Sequence, residues 1–405
     1  MDAPLDTLTD WDAASETEFD DVVALRRAIH QDPEIGLHCP RTTEKIKAAL
    51  AGLPLEIHEG QSTTGFVAIL RGGRDNGRTV LLRGDHDALP MQEETGLPFA
   101  SKVAGAMHAC GHDSHTAMLV GAARILCARK DTLPGTVVFM FQPGEEGYHG
   151  ARYMIDDGLL DIARPEAAFA LHISPNIPAG VVVSRPGPLL ASADTLRATI
   201  HGKGGHGAMP HECLDPIPVA CEIVTALQTF VARQVPVMDP AVLTIAQINA
   251  GSAHNIIPAE ARMIGTLRTL SEETRGKVQQ AFVRIVEHVA AAHGATGEAE
   301  IDQGYPVTMN DARACALMQA CAQQLGGEGG WAPMPAPMMG AEDFAYVLRD
   351  TPGAMAFIGV APEGTDCRTN PPLHNTRMTI EESVMARGMA MHCAMADRFL
   401  NHGFE

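Results

Sequence analysis

An α/β fold with a mostly parallel sheet, interrupted by a smaller α+β domain, is predicted by three features of this 405-residue sequence. Short, near-continuously apolar runs stop at charged or imidazole residues; helical patterns lie between them; and the middle of the chain changes to alternating strands in the order βαββαβ. Strands that are apolar throughout and alternate with helices belong to a parallel sheet covered on both faces. The βαββαβ order is that of a split, ferredoxin-like sandwich. A chain of this length also exceeds one ordinary core, in keeping with two domains.

The elements follow in order. "RTTEKIKAALAG" has a helical pattern, and "TVLLRGDHD" reads as a strand over 79–83 that delivers Asp85 and Asp87. "SHTAMLVGAARILCARK" is the next helix, "GTVVFMFQPGEE" a strand delivering Glu145 and Glu146, "GARYMIDDG" a helix, and "EAAFALHISP" a strand delivering His172. The Pro- and Gly-containing passage 184–192 ends this rhythm. Alternating strands then occur in "DTLRATIHG", "AVLTIAQINAG", "EARMIGTLRTL" and "GEAEIDQGY", with helices over 216–233 and from Ser271. Ser271 is a good N-cap, and Glu272 and Glu273 place negative charge where the helix dipole favours it. Afterwards the first style returns: helices in "DARACALMQACAQQLGG", from "AEDFAYVLRD" and over 380–400 surround a strand "AMAFIGV". One domain is therefore expected over 1–187 and 303–405, and an inserted one over 188–302.

Composition narrows the function. Hydrophobic residues make up 45% and charged residues 20%, the balance of a globular protein. The formal net charge of -19 repels phosphate backbones and anionic lipid, and no basic patch offsets it, so neither nucleic acid nor membrane is an expected partner. No run is long enough to span a bilayer, and the acidic opening is unlike a signal peptide, which points to the cytoplasm. Most of the nine cysteines read as reduced, buried thiols. Cys110 differs, because histidines surround it in "MHACGHDSHTAML".

Ligands bind parallel sheets at the carboxyl ends of the strands, where the suggestive side chains collect. Cys110 and His112 on one loop suit zinc or a similar borderline metal, although a buried thiol beside a packed histidine has the same spacing. The neighbours shift the balance. Adjacent carboxylates project in different directions, so one of Glu145 and Glu146 can ligate a metal while the other acts as general base. His172 and His374 add two nitrogens. Five ligands exceed one tetrahedral ion, so two metals sharing a ligand, with Cys110 able to bridge, become the natural reading. Asp87 is assigned the carboxylate that orients a ligating imidazole. His108 and His115 read as packing or capping residues.

With these residues assembled, the sequence closely resembles the dinuclear-metal amidohydrolases of the aminoacylase and carboxypeptidase superfamily. The nearest branch holds hippurate hydrolases, bacterial N-acyl-amino-acid amidohydrolases and plant auxin-conjugate hydrolases. The resemblance runs almost end to end, through "LLRGDHDALPMQEETGLPFAS", "MHACGHDSHTAML", "FQPGEEGYHGARYMIDDG", "ALHISP", "GKGGHGAMPH", "GSAHNIIPAEA", "GTLRTL", "MGAEDFAY" and "PPLHNTR". It implies a zinc-peptidase-like catalytic domain in which Cys110, His112, Glu146, His172 and His374 hold the metals and Glu145 is the base. It also implies an inserted domain that serves as lid and dimerisation module. There His206 stabilises an oxyanion, in cis or from a neighbouring subunit, with Asn255 assisting. Arg268 is a candidate partner for a substrate carboxylate. One departure stands out: the branch commonly has methionine where this chain has His86. Tyr148 and His149 likewise occupy a stretch that is often smaller in relatives.

The expected activity is hydrolysis of an N-acyl amino acid to a carboxylate and a free amino acid. Two divalent ions per subunit would serve it, zinc first and manganese, cobalt or nickel as alternatives. The expected assembly is a homodimer or a higher homo-oligomer. The rival readings are a dipeptidase or an acetyl-diaminopimelate deacetylase on the same site, a metal-binding relative without turnover, and a Cys-His hydrolase using Cys110 as nucleophile.

Overall fold

The computed structural model describes residues 9–405; the first eight residues, part of the acidic opening, lie outside the described residues. Contacts divide the chain into two compact units. One runs to Leu189 and resumes over Met309–Ala336 and Asp343–Glu405; the other comprises Leu190–Thr308 with Pro337–Glu342.

In the first unit, α1 (Thr9–His30) and α2 (Pro40–Leu50) precede β1 (Glu56–Glu59), β2 (Phe66–Arg71) and β3 (Arg74–Asp85). Then come α3 (His112–Ala128), β4 (Pro134–Gln142), α4 (Gly150–Asp156), β5 (Ala167–Ser174) and β6 (Val182–Ser184). The second unit contains β7 (Asp194–His201), β8 (Gly205–His206), α5 (Pro216–Gln234), β9 (Ala241–Ala250), β10 (Ile256–Ile257), β11 (Glu260–Thr269), α6 (Glu272–Ala292) and β12 (Thr296–Gln303). The chain returns through α7 (Ala312–Gly326), β13 (Trp331–Pro333), α8 (Ala345–Asp350), β14 (Gly353–Gly359) and α9 (Val384–His402).

The main sheet has the order β1-β2-β4-β3-β5-β14-β6-β13. Its central strands β4, β3, β5 and β14 are mutually parallel, so their carboxyl ends share one edge. Antiparallel pairs extend it on both sides: β2 against β4, β1 against β2 and β6 against β14. Strands β1 and β6, of four and three residues, are too short to announce themselves in the sequence. Phe66, Phe139, Phe141 and Phe169 are fully buried, each contributing about 2–3 kcal/mol by removal from water. Phe66 and Phe141 stack across β2 and β4 with centroids 4.9 Å apart. Three helices, α1, α3 and α9, pack on one another over this sheet.

Local deviations from the expected elements have identifiable causes. The polar N-terminal stretch contains α1, which buries only a few residues, including Trp11, Val22, Val23 and Ile29. The closing helix starts at Val384 and not Ile380, because Glu382 is drawn into ion pairs with Arg26 and Arg27. Helix α8 starts at Ala345, after Asp343 has committed its carboxylate to Arg83, Gln142 and the Ala151 amide.

In the second unit the sheet order β9-β11-β7-β12 is antiparallel throughout, the ferredoxin-like arrangement expected for βαββαβ. Alternation puts Leu196, Ala198 and Ile200 of β7 and Ala261, Met263 and Leu267 of β11 in one apolar cluster. Helix α5 contributes Ile223 and Leu227 to it, and α6 contributes Phe282 and Val286. Both helices begin on side-chain caps: Asp215 accepts from the Ile217 amide at 3.0 Å, and Ser271 from the Thr274 amide at 3.1 Å.

Candidate metal centre

Each segment that carries a predicted ligand is bent into place by a feature of its own. After β3, the carboxylate of Asp87 accepts from two successive amides, Glu145 at 3.0 Å and Glu146 at 3.1 Å. The chain reaches that position through Gly144, whose φ of +72° side chains rarely adopt. Between Cys110 and His112, Gly111 takes φ +82°, and a Cβ there would lie 2.4 Å from Ile173 Cγ1. His374 is also left-handed, at φ +63°, and its amide donates to the Ala109 carbonyl at 2.9 Å. The last loop is thereby tied to the turn that carries Cys110.

Hydrogen bonds on the far nitrogens then decide which ring atoms face inward. His112 Nδ1 is 3.0 Å from the Asp87 carbonyl and His172 Nδ1 is 2.7 Å from the Ile173 carbonyl. A carbonyl accepts only, so both rings carry the proton on Nδ1 and present the lone pair of Nε2. The Nε2 of His112 is buried without a hydrogen-bond partner. Two groups of three donors result, Cys110 with His112 and His172, and Cys110 with Glu146 and His374, each with its ligand atoms within 4.8 Å of one another. They share the Cys110 sulfur. Cys110 Sγ lies 3.4 Å from His172 Nε2, and His374 Nε2 lies 3.1 Å from Glu146 Oε1. Imidazoles and a carboxylate grouped around one shared cysteine sulfur, with the His112 Nε2 left unpaired, fit two divalent ions with one bridging ligand.

The electrostatics point the same way. Burial alone would lower the basicity of His112, yet Asp85 and Cys110 beside it raise its pKa well above the ordinary imidazole value. Hydrogen bonds to Cys110 and Glu146 push His374 up to about 10. Glu146 is shifted down, burial being outweighed by His374 and His112. This pocket attracts positive charge, and protons and metal cations compete for the same ligand atoms.

Glu145, the residue expected as base, lies beside this donor set. Glu145 is buried, with Oε2 3.9 Å from His112 Nε2, and it forms a further donor group with His112 and Glu146. Asp87 meets His112 through its main-chain carbonyl, 3.0 Å from Nδ1, and its carboxylate Oδ1 lies 3.4 Å from the same nitrogen while the carboxylate also accepts from the Glu145 and Glu146 amides. His86 is buried with neither ring nitrogen paired, and burial pulls its pKa down to about 3, so it is a neutral imidazole in a site that fits an apolar side chain. His108 is likewise buried and neutral, tilted against His30. His115 lies much closer to the centre than a packing role implies: its ring centroid is 4.5 Å from that of His172.

In the second unit, His206 is exposed on β8, opposite Ile256 of β10, and Gly207 donates to the Asn255 carbonyl at 2.8 Å. The two residues thus flank one short ribbon. Arg268 is half-buried on β11, opposite Val242, with its pKa lowered by burial.

A family model described as peptidase family M20/M25/M40 matches residues 81–398. The chain belongs to this family. Its M20 relatives include an N-acetyl-L-cysteine deacetylase of Bacillus subtilis (strain 168), 38% identical over 95% of this chain and 89% of that protein. An IAA-amino acid hydrolase ILR1-like 2 of Arabidopsis thaliana is 36% identical, covering 96% and 87%. The crystal structure of the Bacillus subtilis YXEP protein, described as a dinuclear metal binding peptidase from the M20 family, superposes with a TM-score of 0.81 at 33% identity, covering 95% of this chain and 99% of that one. The M20 chain is therefore a hydrolase, and its α/β fold with a ferredoxin-like insertion is that of the family.

What sequence reading missed in this M20 site is the charge network behind the ligands. Arg83 pairs with Asp85 and, at 3.2 Å, with Asp343; His30 and Arg26 both hold Asp113, next to His112. The one available signal was the three-residue spacing of His112 and His115, which puts them on the same helix face.

Proposed function

We propose that this M20 hydrolase cleaves the amide bond of N-acyl amino acids, using two divalent ions per subunit, zinc first. The observation that carries the reading is the pair of donor triads sharing Cys110, with the Glu145 carboxylate beside the orphaned Nε2 of His112. Two ions held there would polarise the scissile carbonyl and lower the pKa of a water nucleophile towards about 7. Glu145 takes the proton of that nucleophile and returns it to the departing amine nitrogen. Asp87 holds the Glu145 and Glu146 amides together, which keeps base and ligand in register. The exposed His206 donates to the developing oxyanion with help from Asn255, and Arg268 pairs with the carboxylate of the amino-acid half. The names of two relatives, a deacetylase of N-acetyl-L-cysteine and a hydrolase of IAA-amino acids, support an amino acid carrying an N-acyl group.

The second unit is the lid and dimerisation module in this reading. Strand β9 ends its sheet and leaves Val242 and Ile248 exposed, at 45% and 46%, an open edge suited to a second copy. Light scattering on the purified protein tests this; a monomer removes the dimer. The free thiols, several of them buried, suit the reducing cytoplasm. The function itself is tested by metal analysis coupled to a panel of N-acetyl, N-benzoyl and longer-chain N-acyl amino acids, with dipeptides alongside. Two ions and turnover of N-acyl amino acids are expected. Turnover of dipeptides alone, or a chelator-resistant activity, overturns the proposal.

A further inference from the structure

We propose that His115 is a positioning residue of the metal centre: its two ring nitrogens join the buried Asp85 to the Ile173 peptide, and that peptide fixes the orientation of His172. The inference rests on the two-ion reading above but concerns a residue that binds no ion in it.

The geometry is a relay with only one consistent set of protons. Asp85 is fully buried and paired with Arg83, and its Oδ1 lies 2.6 Å from His115 Nδ1. An ionised carboxylate only accepts, so Nδ1 of His115 carries the proton and Nε2 is left with its lone pair. That lone pair accepts from the Ile173 amide at 2.9 Å. A strand amide would ordinarily donate to a neighbouring strand. Here the β3–β5 register ends at Arg83↔Ala170, so β5 has no strand partner on that side at Ile173, and an imidazole takes the place of one. The carbonyl of the same residue accepts from His172 Nδ1 at 2.7 Å. Both polar groups of one residue are therefore spent on histidines, the first holding His115 and the second aiming His172 Nε2 towards Cys110. Sterics reinforce the alignment. The His115 ring meets the His172 ring edge-on at 4.5 Å and lies 5.4 Å from that of His112, while the Ile173 side chain fills the space that only Gly111 leaves.

Two substitutions separate the ring nitrogens. The amide of H115N can reach the Nδ1 position and keep the bond to Asp85, but it leaves the Ile173 amide unpaired. The longer H115Q can place its oxygen near the Nε2 position and keep the bond to Ile173. Each variant loses one buried hydrogen bond, so a purely structural role would weaken both alike. The measurement is zinc release from the loaded protein to a competing chelator, with the melting temperature of the metal-free form alongside. Orienting partners of metal-bound histidines typically alter affinity 10- to 100-fold. H115N is expected to release one of the two ions about 10- to 100-fold more readily than wild type, whereas H115Q stays within about threefold, and their metal-free melting temperatures are similar. H115F, which keeps the ring contact but neither nitrogen, is expected to behave like H115N and replaces it if H115N does not fold. Equal zinc affinity in the Asn or Phe variant and wild type overturns the positioning role, as does equal loss in the Asn and Gln variants. In both cases a wild type that holds two ions leaves the two-ion reading standing; a wild type that holds none overturns both.

Discussion

The two units differ in how much buried charge their apolar cores hold. The first unit encloses Asp85, Asp87, Cys110, His112, Asp113, His115 and Glu145, all at or below 6% exposure, inside an otherwise apolar α/β core. The second has a core of Leu, Ile, Val, Ala, Met and Phe with a buried ion pair of Asp194 and Arg275 at 2.6 Å, and its chemically interesting residues, His206 and Asn255, lie in the open. Buried charge is tolerated only when it is paired and hydrogen-bonded, and in the first unit it is: Arg83 balances Asp85 and Asp343, and Arg26 with His30 balances Asp113. One unit is thus organised to hold a precise set of donors, and the other has an apolar core that contains none of them. Substitutions of the metal-binding donors in the first should change chemistry and metal content together, substitution of the base should change chemistry alone, and those in the second should separate chemistry from folding.

The strongest test of this division is Glu145→Gln, which keeps shape and removes the base. Activity should fall by at least about 10²- to 10⁴-fold with two ions retained by metal analysis; unchanged turnover removes Glu145 from the mechanism. In the second unit, His206→Ala should lower kcat by about 10²- to 10³-fold while metal content and melting temperature stay at wild-type values. A drop in metal content would mean that the chemistry is not divided as described. Gly111→Ala should combine both kinds of damage. Its φ of +82° and the 2.4 Å approach to Ile173 predict a loss of about 2–5 kcal/mol in stability, read from denaturant unfolding, with metal binding weakened as well.

The pH dependence of stability of the metal-free protein contrasts two buried histidines of the first unit. Burial pushes His392 down to about 3. Between about pH 6.5 and 3 the unfolded chain binds a proton that the folded one refuses, so His392 costs stability as pH falls through that window. His30 behaves in reverse. Burial opposes its charge, but Asp113 and Glu93 raise it to about 9, so its stabilisation is complete below pH 6.5 and is lost as pH rises through 9. Melting temperatures across pH 4–10 should flatten on the acid side in His392→Leu and on the alkaline side in His30→Gln. The smallest effect belongs to the second unit: Ser271→Ala, which removes the α6 cap, should cost about 1 kcal/mol in unfolding free energy and leave metal content unchanged.

The same contrast explains what could be read in the sequence. Apolar runs that end in Asp85, Glu145 and His172 are a one-dimensional signature of parallel strands with a site at their ends, and the alternating βαββαβ passage is equally plain. Of the donors, Glu146 and His172 follow from position at those ends, whereas Cys110, His112 and His374 lie on loops or a helix start and follow from residue type and the family resemblance. The relay through His115 does not. Its partners are a carboxylate thirty residues earlier and a main-chain amide, and a backbone group leaves no mark in residue identity. For Asp87, residue identity suggests a carboxylate beside an imidazole; it does not reveal that the carbonyl lies nearer His112 Nδ1 than the carboxylate, 3.0 against 3.4 Å, or that the carboxylate grips two amides 58 and 59 positions away. Helix α1 went unread because its few buried residues are spread along a polar stretch. The starts of α8 and α9 were misplaced because ion pairs, not propensity, hold Asp343 and Glu382 outside those helices.

The grip of Asp87 on two consecutive amides has a further consequence for how such a site can change over generations. A substitution that drags Glu146 towards a larger or smaller ion pulls on the same carboxylate that seats Glu145, so ligand and base travel as a pair. The lineage can then exchange one metal for another while the spacing between Glu145 and Glu146 is inherited intact. Loss of that one carboxylate would uncouple the two and expose each to drift.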